Sequence, residues 1–561
     1  MFQIPGGIDV NHIVASKAVR SLAAIAALFA GSCAAPPADA PRTAGKPRPN
    51  ILMIISDDIG VDVTTDMTPG LIDDLLKQYG PAGHNHPKYQ EIKGRPASTP
   101  NLNALARSGI RFTQAWVQPF CANTRASILS GLYPVSTGVL DYTGYLSQNH
   151  RSFVRDLKDK GGYATAVFGK WHMAGLVPAN AAPDAPRYPG MKPKEAGFDL
   201  FLGNLNGAPS TYHEYDYHVQ DATTPANQWR TEKAPTRSLP GIAPTTYAPV
   251  ARVADATQWI TEQEQRDPDK PWFAWLAFNV AHISENQNPS PMVVPDRDTL
   301  DEPSRREMES CGGTFGTRNV GRCTDKQLMR AMTNSMDTVI GLLLKTVDTL
   351  DPNTYVIYIG DNGTWMFGTG REFIDNMYIT RQGRGKGTAY ESGTHVDLVI
   401  RGPRIKAGSA SDAPVTGSDL FPTILELAGL DVPNAVPDRE GKGLIALDGM
   451  SLYPVVFDGA QQVRHPDTGY MLSETINPLQ RNARQAGVRN GRYKLVCDEN
   501  ALAASCRFFD VKADPLEEFP LAKPASCANF TNGQWKSSVP EWHFCRLQEV
   551  LARKSFLAAK Q

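Results

Sequence analysis

The chain reads as an α/β protein built on a large mixed, mostly parallel sheet flanked by helices. Three observations carry that reading: short apolar runs bounded by polar residues, several such runs ending in carboxylate or amide side chains, and strand and helix signals that alternate from residue 50 to about residue 465 without an internal repeat. Strands covered on both faces read as continuous apolar runs, and open α/β sheets place their sites beyond the carboxyl ends of such strands. At 561 residues with 41% hydrophobic content, the chain is long enough to bury a large core and to divide into two domains.

Lys17 and Arg20 precede an apolar run over residues 22–30, so residues 1–33 read as a secretory signal, too short to remain as a membrane span. Ala30-Gly31-Ser32-Cys33 also has the form of a bacterial lipoprotein cleavage box, which sets lipidation of Cys33 beside ordinary release. Either way the chain is expected to be exported, as a periplasmic or cell-surface lipoprotein or as a secreted protein. Residues 34–49 form a Pro/Ala-rich linker. Residues 50–56 read as a buried strand that delivers Asp57 and Asp58, and residues 355–359 repeat the device with Asp361 and Asn362. Residues 164–168 lead into Lys170 and His172, and residues 272–278 lead into His282. Four strand ends thus converge on one candidate site.

Residues 119–131 read as a loop opening a short helix, its first turn capped by Asn123 or Thr124, with Ile128 and Leu129 inward and Gly131 at its end. A helix start gathers unpaired backbone N–H groups, and Arg125 adds a fixed charge; together they suit an oxyanion facing Cys121. Asp57, Asp58, Asp361 and Asn362 form a hard, all-oxygen donor set, suited to calcium or magnesium and poorly suited to zinc.

From about residue 466 the character changes. Residues 485–496 read as a hairpin with an Asn490-Gly491 turn, residues 507–511 as another strand and residues 539–560 as a helix, so 466–561 forms a smaller α+β domain after a catalytic domain over 50–465. The chain has eight cysteines. Without Cys33 and Cys121, six remain in local pairs, Cys311 with Cys323, Cys497 with Cys506 and Cys527 with Cys545; about fifteen pairings are open to six cysteines, and the local one is expected in an exported chain. The long loops over residues 60–98 and 204–249 are expected to shape a substrate pocket. A net charge of −1 excludes broad electrostatic attraction to nucleic acid.

These residues also carry a resemblance. Thr99-Pro100-Asn101-Leu102, Phe168-Gly169-Lys170-Trp171-His172, Gly387-Thr388-Ala389-Tyr390-Glu391-Ser392-Gly393, Asp419-Leu420-Phe421-Pro422-Thr423 and Phe509-Asp510-Val511 through Glu518 accompany the Cys121 to Arg125 spacing. Over roughly residues 50 to 520 the chain resembles the sulfatases of the alkaline-phosphatase superfamily, whose nucleophile is a formylglycine made from the cysteine of a Cys-x-Pro-x-Arg motif. The resemblance implies an alkaline-phosphatase-like fold with a smaller C-terminal antiparallel sheet and packed helix. It implies calcium, less readily magnesium, held by Asp57, Asp58, Asp361 and Asn362, and Cys121 converted by a formylglycine-generating maturation enzyme. Arg125 would orient the nucleophile, Lys170 and Lys386 would bind sulfate oxygens, and His172 and His282 would serve the proton transfers. The implied substrate is a sulfated carbohydrate or a small sulfate ester. The chain departs from the motif at Asn123, where the family carries proline or alanine, and it lacks the family's proline near His282. A phosphodiesterase or phosphonate monoester hydrolase on the same fold, and a non-catalytic sulfated-glycan-binding relative with an unmodified Cys121, are the competing readings.

Overall fold

The computed structural model describes residues 48–176, 188–365, 377–380, 383–499 and 503–558. The expected signal over 1–33, the lipidation residue Cys33 and the linker as far as residue 47 lie outside the described residues. Eleven strands make the main sheet: β1 (Asn50–Ser56), β2 (Ile110–Trp116), β3 (Ala164–Lys170), β4 (Leu200–Asn204), β5 (Asp216–Gln220), β6 (Arg230–Lys233), β7 (Trp272–Ala277), β8 (Thr354–Gly360), β9 (His395–Arg401), β10 (Ser409–Ser411) and β11 (Val415–Thr416). Their spatial order is β10-β2-β9-β8-β1-β7-β3-β4-β5-β6, with β11 also paired to β2. The central strands β8, β1, β7 and β3 are parallel and wholly buried. Antiparallel pairs β8–β9, β9–β2, β4–β5 and β5–β6 extend the sheet on both sides.

Helices cover both faces, which is why the central strands carry apolar side chains at successive positions. The main helices are α1 (Leu71–Tyr79), α2 (Pro100–Ser108), α3 (Cys121–Ser130), α4 (Phe153–Asp159), α5 (Ala248–Arg266), α6 (Asp325–Leu350), α7 (Leu420–Leu427) and α8 (Pro540–Lys554). Leu52 and Ile54 of β1 share one core with Leu102 of α2, Val253 of α5 and Met336 and Ile340 of α6. Ile51, Met53 and Ile55 point the other way, into a second core with Ile128 of α3, Leu157 of α4 and Phe421 of α7. The longest of these helices, α6, starts in a capping box in which the Thr324 side chain and the Gln327 side chain satisfy each other's backbone N–H groups.

The second sheet consists of β12 (Met471–Asn477), β13 (Ala483–Arg489), β14 (Tyr493–Asp498) and β15 (Cys506–Asp510), antiparallel in chain order, with Phe544, Leu547 and Leu551 of α8 packed on Leu472, Val488, Leu495 and Phe508. The fold is therefore the expected mixed sheet with a smaller antiparallel sheet and helix at its C-terminal end. The hairpin between β13 and β14 turns at Asn490-Gly491 as expected: Arg489 pairs with Lys494, and the Asn490 N–H donates to the Tyr493 carbonyl (3.0 Å) across the turn. Asn490 Oδ1 accepts from the backbone of Arg492 (2.9 Å) and Tyr493 (2.8 Å), and Nδ2 bonds the Asp467 carbonyl (3.2 Å). Those side-chain bonds reinforce the turn.

A buried polar contact joins the two sheets. Lys494 Nζ lies 2.8 Å from Glu391 Oε1 and 2.9 Å from Glu517 Oε1, Trp116 Nε1 donates to Glu391 Oε2 (2.8 Å), and the Arg489 guanidinium stacks 3.3 Å above the Trp116 ring. Every charge is matched, as burial requires. The described residues from Arg48 onward accordingly form one compact unit. The six expected cysteines form Cys311–Cys323, Cys497–Cys506 across β14 and β15, and Cys527–Cys545 onto α8. Among the described residues the free cysteine is Cys121.

Two outcomes follow for stability. Replacing Cys527 and Cys545 together by alanine is expected to cost about 2–4 kcal/mol, read as a lower unfolding temperature, because the bridge restrains the unfolded chain; an unchanged unfolding temperature would contradict the pairing. Burial pushes the Glu474 carboxyl up to about 8 while its oxygens accept from Phe556 (2.8 Å) and Val135 (3.0 Å). An unfolded glutamate titrates near about 4.3, so Glu474 contributes stability that is complete below that pH and is lost as pH rises through about 8. Urea unfolding at several pH values should show a shallower decline for Glu474→Gln than for wild type across that window, and parallel declines would refute the assignment.

Candidate active site

Strand register assembles the site. Ser56 pairs with Gly360 and Ile55 with Ala277, so β1, β8 and β7 end side by side, and β3 ends level with β7 through Gly169 and Ala277. Gly169 has φ +97°, and a Cβ there would lie 1.9 Å from the Ala277 carbonyl oxygen, so only glycine lets β3 turn out beside β7 and present Lys170. Backbone bonds lock the turns beyond the strands: Asp57 N to Val280 O (2.9 Å), Ala281 N to Asp57 O (2.6 Å) and Asp361 N to Ser56 O (3.0 Å).

Three buried carboxylates meet three buried cations there. Lys170 Nζ lies 2.6 Å from Asp57 Oδ2, Lys386 Nζ bonds Asp58 Oδ1, and Arg125 reaches Asp361 Oδ2 with Nε (3.0 Å) and Nη2 (2.8 Å). Asn362 Nδ2 donates to Asp58 Oδ1 (2.8 Å). Burial raises Asp58, but Lys386 and His282 outweigh it and hold the carboxyl at about 2. Burial likewise opposes the charge on Lys386, and Asp58 outweighs it, so the ammonium is retained. Burial and the neighbouring Asp361 push Asp57 upward even against Lys170, the mark of carboxylates crowded together.

The pairing leaves three oxygens over. Asp57 Oδ1, Asp58 Oδ2 and Asn362 Oδ1 are buried and have no hydrogen-bond partner. Asp57, Asp58 and His282 bring ligand atoms within 4.8 Å of one another, as do Asp57, Asp361 and Cys121. Two oxygens on one calcium ion, each at about 2.3–2.6 Å, can be no more than about 5 Å apart. Orphaned hard oxygens suit a hard divalent cation; three of the four expected ligands, Asp57, Asp58 and Asn362, supply them, while both oxygens of Asp361 are engaged by Arg125 and the Asp58 N–H.

Cys121 stands at the first position of α3, fully buried, with Sγ 3.1 Å from His172 Nδ1. His172 Nε2 lies 2.9 Å from the Tyr142 carbonyl, which can only accept, so Nε2 carries the proton and Nδ1 receives one from residue 121. Burial, then Lys170 and Arg125, keep His172 neutral. The His282 ring donates from Nδ1 to the Ile283 carbonyl (2.6 Å) and turns Nε2 toward Asp58 Oδ2 at 4.0 Å. Burial and Lys386 lower His282 to about 3. Burial pushes the Cys121 thiol up, and a neutral thiol is a poor nucleophile. Asp58 (φ 59°) and His172 (φ 58°) hold left-handed backbone, which non-glycine residues adopt mainly where the surroundings impose it.

Three details differ from the sequence reading. The helix starts earlier than its capping residues suggest: Phe120 is the N-cap, without a side-chain cap, so Asn123 and Thr124 lie inside the helix. Thr124 Oγ1 instead accepts from Gln118 N (2.9 Å) and donates to its carbonyl (3.2 Å), and Asn123 Nδ2 donates to the Glu474 carbonyl (3.1 Å). Arg125 sits beyond the first turn, and its guanidinium is committed to Asp361 and to the Lys170 carbonyl (2.7 Å), so it fixes the carboxylate rather than facing an anion. The cavity of about 450 Å³ over the site is lined by Gly207 and Ala208 of the loop that follows β4, but by no residue from 60–98. That segment packs instead through Tyr79 and His84 against Phe519.

Sequence reasoning did not find the residues that position the nucleophile. Gln118 Nε2 donates to the Leu472 carbonyl (2.9 Å), Gln118 Oε1 accepts from Glu474 N (3.0 Å), and Ser473 Oγ donates to the Val117 carbonyl (3.0 Å). Asn477 Nδ2 donates to Gly387 O (3.0 Å), next to Lys386. All are contacts of β12, more than 350 residues from Gln118 in sequence, and only the unusual Gln118 and Asn123 beside Cys121 could have hinted at them.

The protein-family model described as Sulfatase matches residues 49–430. An ulvan-active sulfatase from Formosa agariphila is 26% identical over 62% of this chain, a match spanning 60% of that protein's own length. An arylsulfatase from Klebsiella aerogenes is 26% identical over 72% of this chain and 91% of its own, and an N-acetylgalactosamine-6-sulfatase from Sus scrofa 25% identical over 74% and 67%. Among solved structures, one in complex with its substrate D-glucosamine-2-N,6-O-disulfate superposes with a TM-score of 0.58 at 18% identity, covering 92% of this chain and 100% of the other. A sulfatase from Pseudoalteromonas sp. gives 0.57 at 18% identity, covering 91% and 92%. At those identities the superpositions speak for the fold. With the family match running across the strands that assemble this centre, the chain belongs to the sulfatase family of sulfuric ester hydrolases.

Proposed function

We propose that the protein hydrolyses a sulfate ester of a carbohydrate outside the cytoplasm, with a formylglycine made from Cys121 and a calcium ion held by Asp57, Asp58, Asp361 and Asn362. The single observation that carries this reading is the set of orphaned oxygens on Asp57, Asp58 and Asn362, buried against a cysteine at a helix start. The carbohydrate is suggested by the names of the ulvan-active and N-acetylgalactosamine-6-sulfatase relatives. Export is supported by three disulfides and the leader-like N-terminal sequence; among the described residues no helix is long and apolar enough to cross a membrane.

When present, the metal would offset charge on the sulfuryl group, and the hydrated aldehyde would supply one hydroxyl to attack sulfur and a second to release the bound sulfate. The chain's own groups do the rest. Asp57 and Asp58 each give one oxygen to a lysine and keep one free, so a cation on the free oxygens leaves Lys170 and Lys386 to swing from carboxylate to sulfate oxygens. His172 Nδ1, 3.1 Å from the residue 121 side chain, takes the proton of the attacking group. His282 lines the cavity with Nε2 unprotonated, so it would first take up a proton there and then pass that proton to the departing alcohol. Arg125 holds Asp361 and the end of β3 in place. Residues 466–561 are read as a smaller domain whose edge strand supports the nucleophile.

Asp57→Ala and Asp361→Ala are each expected to lower turnover and calcium affinity by more than about a hundredfold, and chelation should do the same to the wild type. Full turnover by protein shown to have lost its metal would refute the site. Mass spectrometry of the peptide containing Cys121, from the native host, should show the aldehyde despite Asn123, and Cys121→Ala should abolish turnover. An unmodified thiol in active enzyme would refute the formylglycine; an unmodified thiol in inactive protein would favour the binding relative.

A further inference from the structure

The cavity over the strand ends combines charged and apolar lining. It is lined by Lys386, His172 and His282, which sit on the site, by Tyr142, Leu176, Ile283 and Trp365, and by the uncharged polar residues Ser284 and Gln287. Leu479 also lines it and is 37% accessible. Among the described lining residues, Lys386 is the one lysine and there is no arginine; that lysine is already bonded to Asp58 and lies 5.3 Å from the centre of the Trp365 ring. The one carboxylate is Glu285, exposed at the rim and held there by two bonds, its N–H to the Pro209 carbonyl (2.9 Å) and its Oε1 from Asn206 Nδ2 (3.2 Å).

We propose, on the basis of the sulfatase reading above, that this site selects sulfate monoesters whose alcohol is an uncharged ring with an apolar face, and that Glu285 turns away rings bearing a second sulfate or a carboxylate. The site can neutralise one sulfate. The walls then offer aromatic and aliphatic surface against which the C–H face of a neutral sugar, or an aryl plane, loses water favourably. A second anion on the same ring would leave water for a largely apolar wall and would face the fixed carboxylate of Glu285. Selection comes from that repulsion as much as from the walls. The volume, about 450 Å³ and toward the lower end of small-ligand sites at about 300–1,000 Å³, suits one or two rings.

The test is kcat/KM of the full, calcium-loaded chain carrying formylglycine, on 4-nitrophenyl sulfate, galactose 6-sulfate and D-glucosamine-2-N,6-O-disulfate. At least one of the two monosulfated rings should exceed the disulfate by at least about tenfold, and their ratio tells the aryl from the sugar source. Glu285→Lys should raise the disulfate about tenfold, with Glu285→Gln between, while galactose 6-sulfate changes by less than about twofold. Trp365→Ala should raise KM for the better ring with a smaller change in kcat. A disulfate turned over as well as the monosulfates, or a Glu285→Lys protein with unchanged selectivity, overturns the proposal and leaves the sulfatase reading standing. No turnover of any of the three overturns both.

Discussion

Six buried charges at the carboxyl end of the main sheet constrain everything around them. Asp57 with Lys170, Asp58 with Lys386 and Asp361 with Arg125 are all at most 2% exposed. Taking such groups out of water costs several kcal/mol each, and well-packed apolar residues would serve stability as well or better. Stability therefore does not explain the cluster; chemistry does. The arrangement needs β1, β3, β7 and β8 to end level, which the parallel registers provide, and it needs glycine at 169, where any side chain would strike the neighbouring strand.

The small C-terminal sheet completes the same site from outside. Its edge strand β12 would otherwise present unpaired backbone groups, the usual hazard of a sheet edge. Here that edge is occupied by the segment launching α3: Leu472, Ser473 and Glu474 bond to Val117, Gln118 and Asn123, and Asn477 fixes Gly387 beside Lys386. One strand thus sets the spacing between Cys121 and the loop that carries Lys386. Asn123 gains a structural meaning from this: where the family carries proline or alanine, its amide ties the first turn of α3 to Glu474.

Much of this was legible in the sequence because the central strands are short, apolar throughout and end in carboxylates, a pattern that buried parallel strands require. The four oxygen donors, Lys170, His172 and His282 follow from those ends by position alone. Lys386 and the conversion of Cys121 rested on the family resemblance, since a basic Gly-rich loop and a lone cysteine have ordinary structural explanations. What stayed hidden depends on contacts distant in sequence. The partners of Asn123 and Gln118 lie some 350 residues away, the Asn490 side chain is tied to the Asp467 carbonyl, and the loop over 60–98 packs on Phe519 rather than the cavity. The helix start at Cys121 was misplaced because Asn123 and Thr124 have the chemistry of caps but are engaged elsewhere.

The central claim is that one hard cation belongs on the oxygens left free by the ion pairs. A crystal structure of the protein grown with calcium, with the ion identified by anomalous scattering, tests it most directly. The account predicts one calcium at about 2.3–2.6 Å from Asp57 Oδ1, Asp58 Oδ2 and Asn362 Oδ1, with Asp361 completing the protein ligands beside residue 121. Saturating calcium with no anomalous peak at these oxygens would contradict it.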